Sequence, residues 1–419
     1  MADDVKRNAR LALVEAGDIS AAPKRAKVNL PAAVRRLRDD DWACLQLNER
    51  TQEIVFVERP PCDTAHPSFP APLAEADFVS IVTAFDRESA SVAHETVIRA
   101  AVRAASFRSF DPVKDYLETL AWDGTERLPW WLETYFGAGV DDEDDEDERA
   151  RETRWTREIG RRWMIGATAR VYQPGCQLDT ILIAEGPQGV GKSSAFKALC
   201  ARDEWFACSV PDIRSKDAVH HLIGPWLIEL DELDALSRRE ATSVKSFVSR
   251  RIDRARLSYG RLSTNHPRRV AFCGTTNEDA WHTDATGGRR FWPFRVRHAI
   301  DVKALKRDRD QLWAEAVAQL KEGAPWHLDD DELVEIARGE QQKRFKASPW
   351  LDDVRHYLTG RSEVRIVDIL DSLDVPTAQR GQQHMNEAVR CLQHLGWERR
   401  QVRREDGRVR VYMPAMDKK

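Results

Sequence analysis

Eight consecutive residues carry the strongest chemical signal in the chain: Gly186, Pro187, Gln188, Gly189, Val190, Gly191, Lys192 and Ser193, with Ser194 following. They fit the pattern G-x-x-x-x-G-K-[ST], with an apolar run before it and a helix-forming run after it. Glycines let backbone N–H groups wrap phosphates without Cβ clashes, and the following helix turns its positive end to them. A lysine at the position of Lys192 reaches the β- and γ-phosphates, and a hydroxyl at Ser193 ligates Mg²⁺. ATP and Mg²⁺ are therefore the expected cofactors.

Downstream, Trp226-Leu-Ile-Glu229-Leu-Asp231-Glu232 is an apolar strand that ends in acids. One carboxylate can hold the Mg²⁺ shell and a second can orient and activate water. The register stays open: Glu232 is the favoured water-activating group, with Asp231 and Glu229 around the metal. Ala271–Asn277 is a third apolar strand with an amide at its tip, either a sensor of the γ-phosphate or the cap of the next helix. Gly287-Gly288-Arg289-Arg290 then presents two guanidiniums on a glycine hinge. One of the two is expected to act as an arginine finger on a neighbouring subunit, without the sequence saying which; the alternative is that an arginine here simply pairs with a structural acid.

Residues 238–269 hold Arg238, Arg239, Lys245, Arg250, Arg251, Arg254, Arg256, Arg261, Arg268 and Arg269 against only Glu240 and Asp253. A phosphate backbone is the usual partner of such a stretch, and Tyr259 in its turn suits a single strand. Arg399, Arg400, Arg403, Arg404, Arg408 and Arg410 repeat the pattern around Asp406-Gly407. DNA contacts are expected at Arg250, Arg251, Arg254, Arg256, Tyr259, Arg261, Arg403, Arg404 and Arg408.

The elements that must position these residues alternate strand and helix: a strand ending at Glu185, a helix from Lys192, a strand over 226–230, a helix around 244–249 and a strand ending at Asn277. That order argues for a parallel α/β sheet. Before it, residues 1–28 read as an unstructured arm. Residues 29–110 read as a small α+β domain with three helices and a strand, without a paired-carboxylate motif. A helical stretch over 113–136 leads to the all-acidic run 141–148, expected as a solvated loop because like charges repel. The ATPase domain is placed at 151–325 and a linker at 326–348. Residues 349–419 read as three short helices and a hairpin, the layout of a winged helix-turn-helix.

The 419 residues are 42% apolar and 32% charged, with a net charge of −4, which suits two or three ordinary domains. The average conceals segregated charge, so it does not exclude a nucleic-acid partner. No run is long enough to span a membrane, and the N-terminus lacks the order of a signal peptide. Seven scattered cysteines without a CxxC pair indicate reduced thiols in a cytoplasmic protein, not a zinc site or disulfides.

Five stretches together resemble the virulence-associated E proteins of prophages and mobile elements, which are related to superfamily 3 viral helicases. They are FDPVKDYLETLAWDGTERLPWWLETYFGA, LIAEGPQGVGKSSAFKAL, WLIELDELDAL, KSFVSRRIDRARLSYGR and FCGTTNEDAWHTDATGGRRFWPFRV, followed by RDRDQLWAEAV. The resemblance covers roughly 107–320. It implies a helicase-type ATPase core, P-loop and AAA+-like, that forms a homo-oligomeric ring, expected as a hexamer, and acts in replication of a mobile element. It assigns Lys192 and Ser193 to phosphate and Mg²⁺, Glu229 and Glu232 to the acidic pair, Asn277 to sensing and Arg289–Arg290 to the finger. It also implies a separate primase or replication protein as partner. The readings to be separated are an ATP-driven translocase on single-stranded DNA, a DNA-bound regulatory or defence ATPase that switches without unwinding, and a small-molecule kinase.

Overall fold

The structure, a computed structural model, describes residues 26–87, 90–140, 145–208, 213, 215, 217–231, 238–255, 263–281, 288–344, 348–404 and 407–415. Two compact units divide the chain at Pro112. The arm expected over 1–28 lies outside the described residues up to position 25.

The first unit begins with β1 (Ala26–Lys27), which pairs in parallel with β5 (Ala90–Ser91). Its sheet has the order β4 (Ala71–Pro72), β3 (Glu53–Phe56), β2 (Leu45–Asn48), β6 (Ser109–Phe110). Three helices cover it: α1 (Leu30–Arg36), capped by Asn29, α2 (Glu75–Arg87) and α3 (His94–Ala105). Their apolar stripes, Ala33 and Leu37, Phe78, Ile81 and Phe85, and Val97, Ala100, Ala101 and Ala104, form one core. A buried ion pair, Arg50 to Asp111 at 3.0 Å, fixes the chain after β6 to the β2–β3 turn.

The second unit is mixed α/β around a five-stranded parallel sheet. Its leading helices are α4 (Pro112–Thr119), α5 (Trp131–Phe136) and α6 (Glu146–Tyr172). The stretch expected to be helical over 113–136 is thus two short helices. The segment between them turns at Gly124 and is held by Arg127 on Asp123 at 2.8 Å. The acidic run also differs from expectation. Asp145 caps α6 and Glu146, Asp147 and Glu148 form its first turn, where negative charge meets the positive end of a helix; 141–144 lie outside the described residues.

The sheet contains β7 (Ile181–Glu185), β8 (Phe206–Cys208), β9 (Leu227–Leu230), β12 (Ala271–Thr276) and β13 (Phe291–Arg295), in the order β13-β7-β12-β9-β8. Every neighbouring pair is parallel. β7, β9 and β12 follow the sequence reading; β8 and β13 are additional. Pro293 sits inside β13, which is tolerated because that strand lies at the sheet edge. Between β9 and β12 come α8 (Arg238–Val248) and an antiparallel hairpin, β10 (Ile252–Ala255) with β11 (Thr264–Pro267). α7 (Lys192–Ala198) and α9 (Val302–Lys321) pack on the sheet with α6. Among the described residues seven indole rings fill this core, Trp205 and the fully buried Trp131, Trp155, Trp163, Trp226, Trp292 and Trp313. Their N–H groups mostly find backbone carbonyls, as Trp163 does on Phe272 at 2.8 Å.

The stretch read as a linker contains α10 (Asp331–Lys343), which buries Leu333, Ala337 and Glu340. Beyond it α11 (Leu351–Leu358), α12 (Ile366–Ser372) and α13 (Gln382–His394) form a separate apolar cluster. They precede the hairpin of β14 (Trp397–Arg404) and β15 (Gly407–Pro414). Among the described residues no helix is long and apolar enough to cross a membrane.

Candidate functional site

The site gathers at the carboxyl end of β7. A chain leaving a buried central strand must turn sharply there to enter α7. Gly186 permits this with φ +155°, and a Cβ at that position would meet the Val296 side chain at 3.2 Å and its carbonyl oxygen at 3.3 Å. Gly191, at φ +98°, is the N-cap of α7. Pro187, Gln188, Gly189 and Val190 are exposed between them, and Ser194 faces outward on α7. The Lys192 ammonium folds back over the loop. It donates to Gly186 O at 2.6 Å, Pro187 O at 2.8 Å and Asn277 Oδ1 at 3.0 Å. The amide at the tip of β12 therefore faces the loop lysine.

Glu229 in β9 is 1% exposed, and its carboxylate is spent on hydroxyls. Ser193 Oγ donates to its Oε1 at 2.7 Å and Thr275 Oγ1 to the same oxygen at 2.9 Å, while Cys208 Sγ lies 3.6 Å from Oε2. Asp231 is exposed just past the strand end. Glu232 lies outside the described residues. Thr275 was missed in the sequence, where the available signal was a hydroxyl inside a buried strand. Among the described residues no group of three or more His, Cys, Asp or Glu is arranged to hold a metal ion.

The arginine pair divides. Arg290 is tied within its own chain, Nε to Ser249 Oγ at 2.8 Å and to Asp179 at 3.4 Å. Arg289 is exposed and makes no ion pair with a described residue. In the basic stretch, Arg268 and Lys245 do not belong to a surface patch. Arg268 is 3% exposed and paired with Asp253 at 2.5 Å, and Lys245 is buried near the Phe291 ring. A guanidinium paired inside with a carboxylate is hidden from any count of charges along the sequence. Arg250 and Arg254 are exposed, while Arg251 gives its Nε to Gly175 O at 2.7 Å. Arg256, Tyr259 and Arg261 lie outside the described residues. In the terminal hairpin Arg403 is exposed and opposite Arg408, and Arg404 is opposite Gly407. The turn residues 405–406 lie outside the described residues.

A second group at the same strand end was not foreseen. Glu185, the residue before Gly186, is buried, and its Oε1 accepts from Trp281 Nε1 at 2.6 Å and Arg344 Nε at 2.6 Å. Arg344, itself 1% exposed, also pairs with Glu340 on α10. Burial raises the Glu185 carboxyl above its usual range, against the charge of Arg344. Glu340 lies below that range: burial opposes its ionisation, and Arg344 with Lys343 more than offset it. Arg295 approaches the other Glu185 oxygen at 3.9 Å.

A parallel α/β core with a glycine loop at one strand end, ringed by polar groups from the neighbouring strands, is the class of protein defined here. The chain belongs to the virulence-associated protein E-like domain family, whose description matches residues 117–346. That span takes in α10, beyond the stretch expected from the sequence motifs. No curated protein matches the chain. Among solved structures it is similar to the apo structure of the NrS-1 C-terminal region, at 11% identity and a TM-score of 0.46, over 90% of this chain and 100% of that one. An A-form apo structure of the same region matches at 12% identity and a TM-score of 0.39, over 88% and 96% of the two chains.

Proposed function

We propose that this protein is a P-loop ATPase that binds ATP·Mg²⁺ at Gly186–Ser194 and uses hydrolysis to move or unwind DNA in replication of a mobile element. The observation that carries the reading is the convergence of Lys192, Ser193, Glu229 and Asn277 at one strand end, with Ser193 Oγ 2.7 Å from Glu229 and Lys192 Nζ 3.0 Å from Asn277. A lysine, a hydroxyl, a carboxylate and an amide are the groups that phosphoryl transfer from a nucleotide requires.

In this reading Lys192 exchanges its loop carbonyls for β- and γ-phosphate oxygens. Ser193 and Glu229 supply hard oxygen ligands of the kind Mg²⁺ takes, with Asp231 at the edge of the same shell. Bound Mg²⁺ would neutralise charge on the phosphates. Asn277 reports on the γ-phosphate, and Glu232 orients the attacking water. Arg289 serves the site of an adjacent copy in a ring, because Arg290 is already paired with Asp179. The β10–β11 hairpin, with exposed Arg254, presents basic residues to single-stranded DNA. The three helices and hairpin over 351–414 serve as a winged helix.

The test is steady-state ATPase with and without single-stranded DNA, for wild type and Lys192→Ala, with the mass measured by light scattering in ATP. Severalfold stimulation in an oligomer, abolished by Lys192→Ala, is the expected result. Turnover indifferent to DNA in a monomer would overturn it. DNA-stimulated turnover without strand separation would favour a regulatory switch.

A further inference from the structure

The first unit has no role in the ATPase reading, yet its surface carries an unusual charge arrangement. Phe107, just beyond α3, is 48% exposed. Two guanidiniums lie against its ring: the Arg38 Cζ is 3.9 Å from the centroid and the Arg103 Cζ 4.5 Å. Arg108 joins them by donating Nη2 to the Arg38 carbonyl at 2.6 Å. Arg99 stands one turn before Arg103 on α3 and is also exposed. None of these four arginines makes an ion pair with a described residue. The nearby acids Asp39 and Asp41 are engaged by Arg36, at 3.2 and 3.6 Å.

One arginine stem would suffice to cover an exposed ring. Two guanidiniums on the same ring, with a third hydrogen-bonded to the backbone of the first, repel one another unless an anion lies between them. Stacking occupies the face of a guanidinium and leaves its N–H edge free. That edge is a planar fork matched to phosphate oxygens. Bases can in turn stack on exposed guanidinium and aromatic faces. Because α1 and α3 pack through the buried Ala33, Leu37, Ala101 and Ala104, both sides of the cluster stand on a rigid support.

We propose that Arg38 and Arg103, gathered on Phe107 and braced by Arg108 through the Arg38 carbonyl, form a phosphate-binding surface for single-stranded DNA in the first unit. It is distinct in sequence from the basic hairpin of the second and independent of nucleotide. The surface would let the protein keep hold of a strand while the ATPase unit turns over.

The experiment uses the full chain without ATP. Binding of a fluorescent oligothymidine is followed by anisotropy across a salt series, for wild type, Arg38→Glu/Arg103→Glu and Phe107→Ala. The same substitutions are repeated in an Arg250→Glu/Arg254→Glu background, which weakens the hairpin. Arg87→Glu, at the exposed pair with Asp63, is the charge control. Each lost phosphate contact removes about 0.7 from the slope of log K against log salt, so the double variant is expected to lose about 1.4. Phe107→Ala should bind severalfold more weakly with all cations retained, and every variant should melt as wild type does. A salt slope and affinity unchanged by Arg38→Glu/Arg103→Glu in both backgrounds would overturn the proposal. So would equal losses in the Arg87→Glu control, or a loss seen only with an acidic peptide and not with DNA. The result is separable from the ATPase reading: a protein without DNA-stimulated turnover that still shows the slope change would retain this surface.

Discussion

Ser193 and Glu229, 36 residues apart in the chain, meet through a hydrogen bond of 2.7 Å, while Asp231 stands exposed beyond the strand. Of the two described acids in the Glu229–Glu232 segment, Glu229 is the one whose oxygens reach both the glycine-loop helix and Thr275 of β12. Glu229→Gln is therefore expected to reduce ATP turnover by at least about 10²-fold, the order of loss when a group that stabilises developing charge is removed. Asp231→Asn should cost much less. Turnover and its Mg²⁺ dependence, measured side by side, decide the register; equal losses in the two variants would contradict this assignment.

Arg289 and Arg290 are adjacent and differ in what they touch. Arg289→Ala should leave thermal stability and nucleotide binding intact and lower turnover about 10³-fold or more, as removal of an arginine finger does. Mixing it with Lys192→Ala subunits should restore part of the activity, because each lacks a different half of a shared site. Arg290→Ala should instead destabilise the fold by about 1–2 kcal/mol, since it removes a charged hydrogen bond to Ser249 and an ion pair with Asp179. If mixing restores nothing, Arg289 acts in its own subunit or not at all.

The glycine loop was legible in the sequence because its signals are local: an apolar run, glycines, then Lys192 and Ser193 in one stretch. The tail was legible for the same reason, through helical periodicity and two basic strands. What stayed hidden was long-range. Glu185 and Arg344 are 159 residues apart, and nothing near either residue announces the other. The polar composition of 326–348 suggested a linker, whereas α10 buries only a narrow stripe and a charged pair. β13 was hidden by Arg295 and Pro293, features that an edge strand tolerates. Arg268 was counted as surface because most arginines are exposed, and only the fold brings Asp253 to it.

Cys208 offers a probe of the same carboxylate. Burial raises its thiol pKa, and the charge of Glu229 raises it further. A raised pKa means less thiolate at a given pH, so labelling at neutral pH is slow and accelerates with alkalinity. Glu229→Gln removes one of those contributions, lowers the pKa and should speed labelling of Cys208 severalfold at pH 7.5. Cys44, Cys62, Cys200, Cys273 and Cys391 are buried, burial pushes Cys44 to about 11 and Cys62 to about 12, and the half-buried Cys176 is told apart by its own peptide. Mass spectrometry of the labelled peptide provides the check, and an unchanged rate would mean that the two side chains do not face each other in solution.

The Glu185–Arg344 pair predicts a stability effect with a defined pH dependence. Removing one member of a buried pair leaves an uncompensated charge and costs about 3–5 kcal/mol. In Arg344→Met the Glu185 carboxyl, already raised by burial, loses its nearest cation and rises further. A raised folded-state pKa means that the folded form binds the proton more tightly than the unfolded chain. The associated stability is present below the unfolded carboxylate value and is lost as pH climbs through the folded value. Glu340 acts in the same direction. Arg344 and Lys343 hold it below the usual range, so in the wild type its contribution is present above the unfolded value and lost as pH falls through the folded one. The variant forfeits much of that contribution at neutral pH. The difference between wild type and Arg344→Met should therefore be largest near pH 8 and narrow towards pH 5, as read from urea midpoints followed by tryptophan fluorescence. Arg344→Lys, which retains a charge but not the fork, should fall between them. A penalty constant across this range would show that Arg344 stabilises the strand end by packing alone and that neither carboxylate depends on its charge.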